Sequence, residues 1–305
     1  MLKIKSMVAI SLLATVLTGC SLPGLSGPAS GTVKIGAVNT TESMIIGNMI
    51  KELIEEETDL KVEMINNLGS SIVMHQAMLN GDVDISATRY TGTDIAGALN
   101  MEPVMDPEEA LKVVQEEFPE RYDQVWFDSY GFANSYAITV TNEMANQENL
   151  EKVSDLEDQA DDLRVGVDGS WINRAGDGYE GFQETYFGFE NISPMQIGLV
   201  YDAVESGRMD AVLAYTTDGR IAAYDLKILE DDRQFFPPYD ASMVVDNKLL
   251  SEHPELEAIL NRLVGTIDTE KMQELNYESD FFMKEPAVVA REFLDENQFF
   301  VEGGE

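Results

Sequence analysis

One internal repeat limits what this chain can fold into. The segment from Ala77 to Tyr90 overlays that from Ala203 to Tyr215, with Ala77 on Ala203, Gly81 on Gly207 and Asp84 on Asp210. Each copy reads as a helix, a glycine C-cap, an apolar residue, an aspartate, a buried strand and a closing tyrosine. The two tyrosines fall one position out of register. A unit of helix and buried strand cannot stand alone, so its partners must supply a sheet.

The flanking pattern supplies them. Thr32 to Ala37 alternates as a strand, and Asn39 to Glu42 resembles a capping box that opens a helix bearing Met44, Ile45, Met49, Ile50, Leu53 and Ile54. A strand at 60–65, a helix at about 70–80 and a strand at 83–88 follow. The second half gives strands at 163–167, 209–214 and 226–229 around a helix at 195–206. Such alternation predicts α/β layers with a largely parallel sheet in each half.

Two similar lobes follow from the repeat, with a tyrosine at the carboxyl end of a strand in each. Ligands of open α/β sheets sit at that end, so a cleft between hinged lobes is expected. The chain is expected to cross between lobes near Tyr136–Thr141 and again near 235–241. Helices near 254–265, 269–277 and 286–296 then return to the first lobe. The expected division is residues 33–137 plus 237–305 for lobe I and 138–236 for lobe II.

The amino terminus has its own logic. Lys3 and Lys5 precede an apolar run from Met7 to Leu17, then Leu17-Thr18-Gly19-Cys20, with no acidic residue. This predicts a signal peptide over 1–19, because an apolar stretch of about eleven residues falls short of the roughly 20 that span a bilayer. Cys20, the one cysteine of the chain, stands where a lipoprotein leader is cut and a diacylglyceryl group attached. Residues 20–32, rich in Gly, Pro and Ser, read as a lipid-anchored tether. A lone cysteine leaves no intrachain disulfide, so core burial must carry stability.

Lys and Arg number 20 against 56 Asp and Glu, a net charge of −36. Such a field excludes nucleic acid as a partner. The two histidines, His75 and His253, lack a second ligand at metal spacing, and no nucleophile–base pair is evident. Neither metal, cofactor nor enzymatic activity is expected. His75 reads as a packed or surface residue, Asp94, Asp210 and Asp218 as turn or cap residues, and Trp171 either walls the cleft or packs.

Tyr90 and Tyr215 can be nominated for a ligand from their strand ends, or read as packing residues. Six further stretches carry a resemblance: Asp84-Ile-Ser-Ala-Thr-Arg-Tyr-Thr-Gly-Thr-Asp94, Trp126-Phe-Asp-Ser-Tyr-Gly-Phe132, Met195-Gln-Ile-Gly-Leu-Val-Tyr-Asp-Ala203, Val212-Leu-Ala-Tyr-Thr-Thr-Asp-Gly-Arg220, Asp225-Leu-Lys-Ile-Leu229 and Phe235-Phe-Pro-Pro-Tyr-Asp240. Together with the lipobox they resemble the osmoprotectant-binding lipoproteins of Gram-positive Opu-type ABC transporters, over nearly the whole chain.

The resemblance implies a two-lobed type II periplasmic-binding-protein fold and a small quaternary-ammonium ligand such as glycine betaine, carnitine or choline. It implies a cage of Tyr90, Tyr136, Tyr215 and Tyr239. Aromatic faces suit such a cation, which has no N–H to donate. The ligand's tail is implied to meet Thr93, where choline-restricted relatives carry an aspartate. A neutral threonine fits a broader range that includes zwitterions. The family's glutamine near the first strand is replaced by Val38, leaving Asn39, otherwise a helix cap, and nearby helix N–H groups as candidates for the tail. An ABC permease and its ATPase are the implied partners, at the extracytoplasmic face of the membrane. The competing readings are a choline-restricted binding protein, a sensor domain for the same ligands, and a secreted enzyme on a related scaffold.

Overall fold

A computed structural model describes residues 32–169, 171–173 and 177–300. The leader, Cys20 and the tether up to residue 31 lie outside the described residues.

The ten strands are β1 (Thr32–Val38), β2 (Lys61–Leu68), β3 (Ile85–Tyr90), β4 (Gln124–Trp126), β5 (Tyr136–Thr141), β6 (Arg164–Asp168), β7 (Asn191–Met195), β8 (Ala211–Tyr215), β9 (Leu226–Ile228) and β10 (Ala241–Asp246). They form two five-stranded sheets, ordered β2-β1-β3-β10-β4 and β7-β6-β8-β5-β9. Helices pack on both sheets, and the protein is a two-lobed α/β molecule. Each sheet is mixed where a largely parallel one was expected. β1, β2 and β3 run parallel, as do β6, β7 and β8, but β10 and β5 enter antiparallel from the opposite lobe. A strand that arrives by crossing between lobes need not make the right-handed crossover a parallel strand requires.

The repeat is structural. Gly81 and Gly207 both end their helices at positive φ, +73° and +68°, a region a side chain enters only with strain. Asp84 and Asp210 then do one job twice: the Lys34 N–H donates to Asp84 at 2.7 Å, and the Arg164 N–H donates to Asp210 at 2.9 Å. Each carboxylate thereby fixes the start of its strand against the central parallel neighbour.

The first lobe's main helix, Thr41–Glu57, shows how the sequence chooses its face. Ile45, Ile46, Met49, Ile50, Leu53 and Ile54 recur at helical spacing and are fully buried against the sheet and the helices Thr269–Asp280 and Pro286–Glu296. Each such side chain contributes about 1.5–3 kcal/mol on burial. The cap is Thr40, which accepts the Ser43 N–H at 3.2 Å. Asn39, read from sequence as the cap, lies one residue outside, so its side chain has no capping role.

Helix Thr269–Asp280 returns to the first lobe through Met272 and Leu275. It also reaches the second, where Gln273 and Asn276 donate to the Thr216 and Thr217 carbonyls at 2.6 and 2.8 Å. No helix among the described residues is long and apolar enough to cross a membrane.

Candidate functional site

Between the sheets the two crossings run side by side. Ala133 bridges Asp240, and the Asn134 N–H donates to the Tyr239 carbonyl at 3.1 Å. The turn after β3 presses against the same crossing: the Gly92 N–H donates to the Pro238 carbonyl at 2.9 Å. A Cβ at Gly92 would stand 2.6 Å from that oxygen, so only glycine permits the approach. Thr93 and Tyr239 are thereby brought together.

A cavity of about 630 Å³ opens here, lined by Tyr90, Tyr136, Tyr215, Tyr239, Thr93 and Asn39 among others. All six ligand-binding residues nominated from sequence thus face one space. Tyr90 ends β3 and Tyr215 ends β8, while Tyr136 begins β5 and Tyr239 lies on the second crossing. Tyr136 is directly opposite Tyr215 in the β5–β8 ladder, and their rings stack with centroids 5.0 Å apart.

The one-residue offset between the tyrosines of the repeat has a local cause. Ser242 pairs with Arg89 and Val244 with Ser86, so β3 carries one extra residue in a bulge. The β5–β8 pairing, Tyr136 with Tyr215 through Thr139 with Val212, has none. A bulge bends its strand and re-aims the residues beyond it, and here it returns Tyr90 to the strand end that Tyr215 occupies directly. Thr88, inside the bulge, donates to Ser43 Oγ at 2.8 Å.

Each hydroxyl has a partner. Tyr90 donates to Glu42, Tyr136 lies 3.4 Å from both Asp168 and the Tyr215 hydroxyl, and Tyr239 donates to Asp177 at 2.7 Å. Burial, followed by the Glu42 charge, pushes the Tyr90 phenol well above its ordinary value. It stays a protonated donor. Burial likewise raises the Glu42 carboxyl, which the side chains of Tyr90, Thr217, Asn134 and Asn276 only partly offset.

Sequence reasoning missed part of the lining. Asn134 sits two residues before Tyr136 as Tyr239 sits two before Ala241, a correspondence visible only once β5 and β10 are known as equivalents. Thr40, Ser70 and Ser71 also line the cavity, because the helices Thr41–Glu57 and Ser71–Leu79 both begin at its wall. Gly69-Ser70-Ser71 carried a helix-start signal that could have found them.

Other nominated residues lie elsewhere. Trp171 is fully buried in the second lobe against Tyr179 and Phe182 and donates to the Asp177 carbonyl at 2.7 Å. It is a packing residue. Asp94, read as a turn or cap residue, is instead the buried partner of Arg89. His75 is buried in a ring cluster with Phe118 and Tyr122, and burial lowers its pKa. No group of three His, Cys, Asp or Glu among the described residues is placed to hold a metal ion. A second cavity, about 720 Å³, shares Thr93 and Tyr239 but contains no other tyrosine. The smaller space is the better ligand site, because only there do rings from both sheets converge.

Two α/β lobes joined by paired crossings, with a cavity at the facing strand ends, define a solute-capturing protein of the periplasmic-binding type. Comparison with known proteins sharpens this. The model of the substrate binding domain of ABC-type glycine betaine transport systems matches residues 31–296, and the chain belongs to that family. It is 55% identical over 285 residues to the carnitine transport binding protein OpuCC of Listeria monocytogenes, covering 93% of this chain and 92% of that protein. It is similar to the crystal structure of a glycine betaine/carnitine/choline ABC transporter, with a TM-score of 0.86, 55% identity, and coverage of 88% of this chain and 100% of that one. Apo YehZ from Escherichia coli matches at a TM-score of 0.77 and 22% identity over 89% of this chain and 100% of that one, which bears on the fold alone. The chain is therefore an extracytoplasmic substrate-binding protein of an ABC importer, and its relatives are transport proteins rather than enzymes.

Proposed function

We propose that the cavity encloses the quaternary ammonium of an osmoprotectant such as glycine betaine, carnitine or choline, with Tyr90, Tyr136, Tyr215 and Tyr239 as the cage. One observation carries the reading: four tyrosines, drawn from both sheets and both ends of the crossings, line a single space of about 630 Å³. A cation whose charge is spread over methyl groups is weakly hydrated and gains from aromatic faces, about 0.5–1 kcal/mol per exposed ring and about 2 when desolvated.

The tail lies toward Thr93 and Asn39. The openings of the helices at Thr40 and Ser70–Ser71 offer N–H groups to a carboxylate, which compensates for the glutamine absent at Val38. The uncharged Thr93 admits a zwitterion and so favours the broad range over a choline-restricted site. Lobe limits at 33–137 plus 237–305 and at 138–236 are supported by sheet membership, β5 starting two residues earlier at Tyr136.

Cys20 anchors the protein through lipid, the tether lets the lobes stand off the membrane, and the loaded form delivers ligand to a permease driven by its ATPase. The sensor-domain reading would lack such partners. A thermal-shift panel over glycine betaine, carnitine, choline, proline betaine and ectoine tests the ligand class. True ligands at ~100 Kd stabilise by about 2.7 kcal/mol. A panel in which no quaternary ammonium moves the melting point rejects the proposal.

A further inference from the structure

Behind the Tyr90 ring lies a group that the cage does not account for. Glu42, in the first turn of helix Thr41–Glu57, is 2% exposed. One carboxylate oxygen accepts from the Tyr90 hydroxyl and from Asn134 Nδ2, the latter at 3.2 Å. The other, Oε2, makes no hydrogen bond within 3.5 Å, although the side chains of Thr217 and Asn276 lie near enough to favour its charged form. No Lys or Arg among the described residues forms an ion pair with it. An ionised carboxylate in such a position is costly unless a positive charge comes near.

We propose that Glu42 is the counter-charge of the ammonium site, a positioning residue that fixes the Tyr90 ring and, when ionised, strengthens the pull of its face on a cation. The inference rests on the cage reading. It adds a formal anion to a site otherwise built of neutral rings. Glu42 does not line the cavity; it acts through the phenol. A hydroxyl that donates to a carboxylate is polarised, and its ring becomes richer in electrons and more attractive to a cation. The low dielectric of the interior preserves this effect where water would screen it. An acid at a buried position otherwise calls for a neutral residue, and glutamine would keep the same hydrogen bonds without the charge.

Choline is the probe, because it has no group that titrates in the useful range. Burial raises Glu42 above its ordinary 4.5, so choline affinity should climb as pH rises through the raised value and then level off. The titratable groups facing Glu42 are Tyr90, Tyr215 and Asp218, with Asp280 at the end of helix Thr269–Asp280; Tyr215, Asp218 and Asp280 line a small cavity together with Glu42 itself. Arg220 is bound to Asp218 at 2.7 Å, and Asp280, also raised by burial, accepts from Thr41 at 2.5 Å. Asp280→Asn is therefore the control.

Choline binding is measured by calorimetry from pH about 4 to about 8 on wild type, Glu42→Gln, Glu42→Asp and Asp280→Asn. The expected result is roughly tenfold weaker binding and a flat pH profile in Glu42→Gln, partial recovery of affinity in Glu42→Asp, and an unchanged profile in Asp280→Asn. Wild-type affinity in Glu42→Gln, or a pH dependence that survives there or vanishes in Asp280→Asn, overturns the assignment. If Glu42→Gln does not fold, the wild-type and Asp280→Asn profiles decide it, a flat wild-type profile counting against. Failure of the cage itself looks different: wild type would bind no choline at any pH, or Tyr215→Ala would bind it undiminished.

Discussion

The two lobes are built from one plan and finished differently. Both repeat the helix, the left-handed glycine, the strand-fixing aspartate and the closing tyrosine. Around the tyrosine they diverge. In the first lobe the strand carries a bulge and a fully buried Arg89, whose guanidinium is paired with Asp94 and stands over the Phe118 ring. In the second, Ala214 precedes Tyr215, and the nearest comparable pair, Arg220 with Asp218, is partly exposed beside Tyr201. The shared part sets where a tyrosine ends; the divergent part sets what braces it. Tyr90 is braced by a hydrogen bond to the buried Glu42, and Tyr215 by stacking on Tyr136.

This contrast can be broken most directly at the arginines. Arg89→Met leaves Asp94 buried without its counter-charge and should lower stability by about 3–5 kcal/mol. Arg220→Met, at a wetter pair, should cost ~1 kcal/mol or less. Urea midpoints for the two variants check this, and equal losses would erase the distinction. Next comes the cage. Tyr90→Ala with Tyr215→Ala removes one ring per lobe and should weaken glycine betaine, carnitine and choline by roughly thirtyfold to nearly a thousandfold, each desolvated ring contributing ~1–2 kcal/mol. Calorimetry of the double variant reads the result, and an unchanged Kd would show that the rings only pack.

Smaller effects probe what the lobes share. Gly81→Ala and Gly207→Ala should each cost about 1 kcal/mol by forcing a side chain into the left-handed region, since open space surrounds both Cβ positions. Matched melting shifts would support equivalence, and a loss in one lobe alone would refute it. The aspartates give the smallest signal and differ in sign. Burial raises Asp84 above its ordinary 3.8, whereas hydrogen bonds from Arg164 lower Asp210 below it. Asp84 therefore contributes stability that is fully present below 3.8 and lost as pH rises through its folded value. Asp210 contributes stability present above 3.8 and lost as pH falls through its depressed value. Carboxyl-carbon titrations followed by NMR should show the two midpoints on opposite sides of 3.8.

Much of this was legible in the sequence, because periodic burial and the glycine–aspartate spacing are local signals. They gave the alternating elements, the repeat, the returning C-terminal helices and both strand-end tyrosines. Tyr136, Tyr239 and Thr93 came instead from family resemblance, as no local pattern marks a residue on a crossing. What escaped was non-local. The antiparallel β10 and β5 depend on partners far along the chain, and β7, which includes Pro194 and half-exposed positions, lacks an alternating pattern. The bulge appeared only as a one-residue mismatch between tyrosines. Glu42 looked like a helix-opening acid and Arg89 drew no reading of its own, because sequence records their charge and not their burial.

The paired crossings have a consequence of their own. Tyr136 and Tyr239 ride on the strips of backbone that join the two sheets and that any opening of the molecule must twist, so two rings of the proposed cage would be mounted on its pivot. A change in angle between the sheets alters ring spacing at once, without a relay through the lobes. Substitutions along residues 132–135 or 237–240 should therefore alter grip and gape together, and a transporter reading the molecule's shape would be reading the occupancy of the rings.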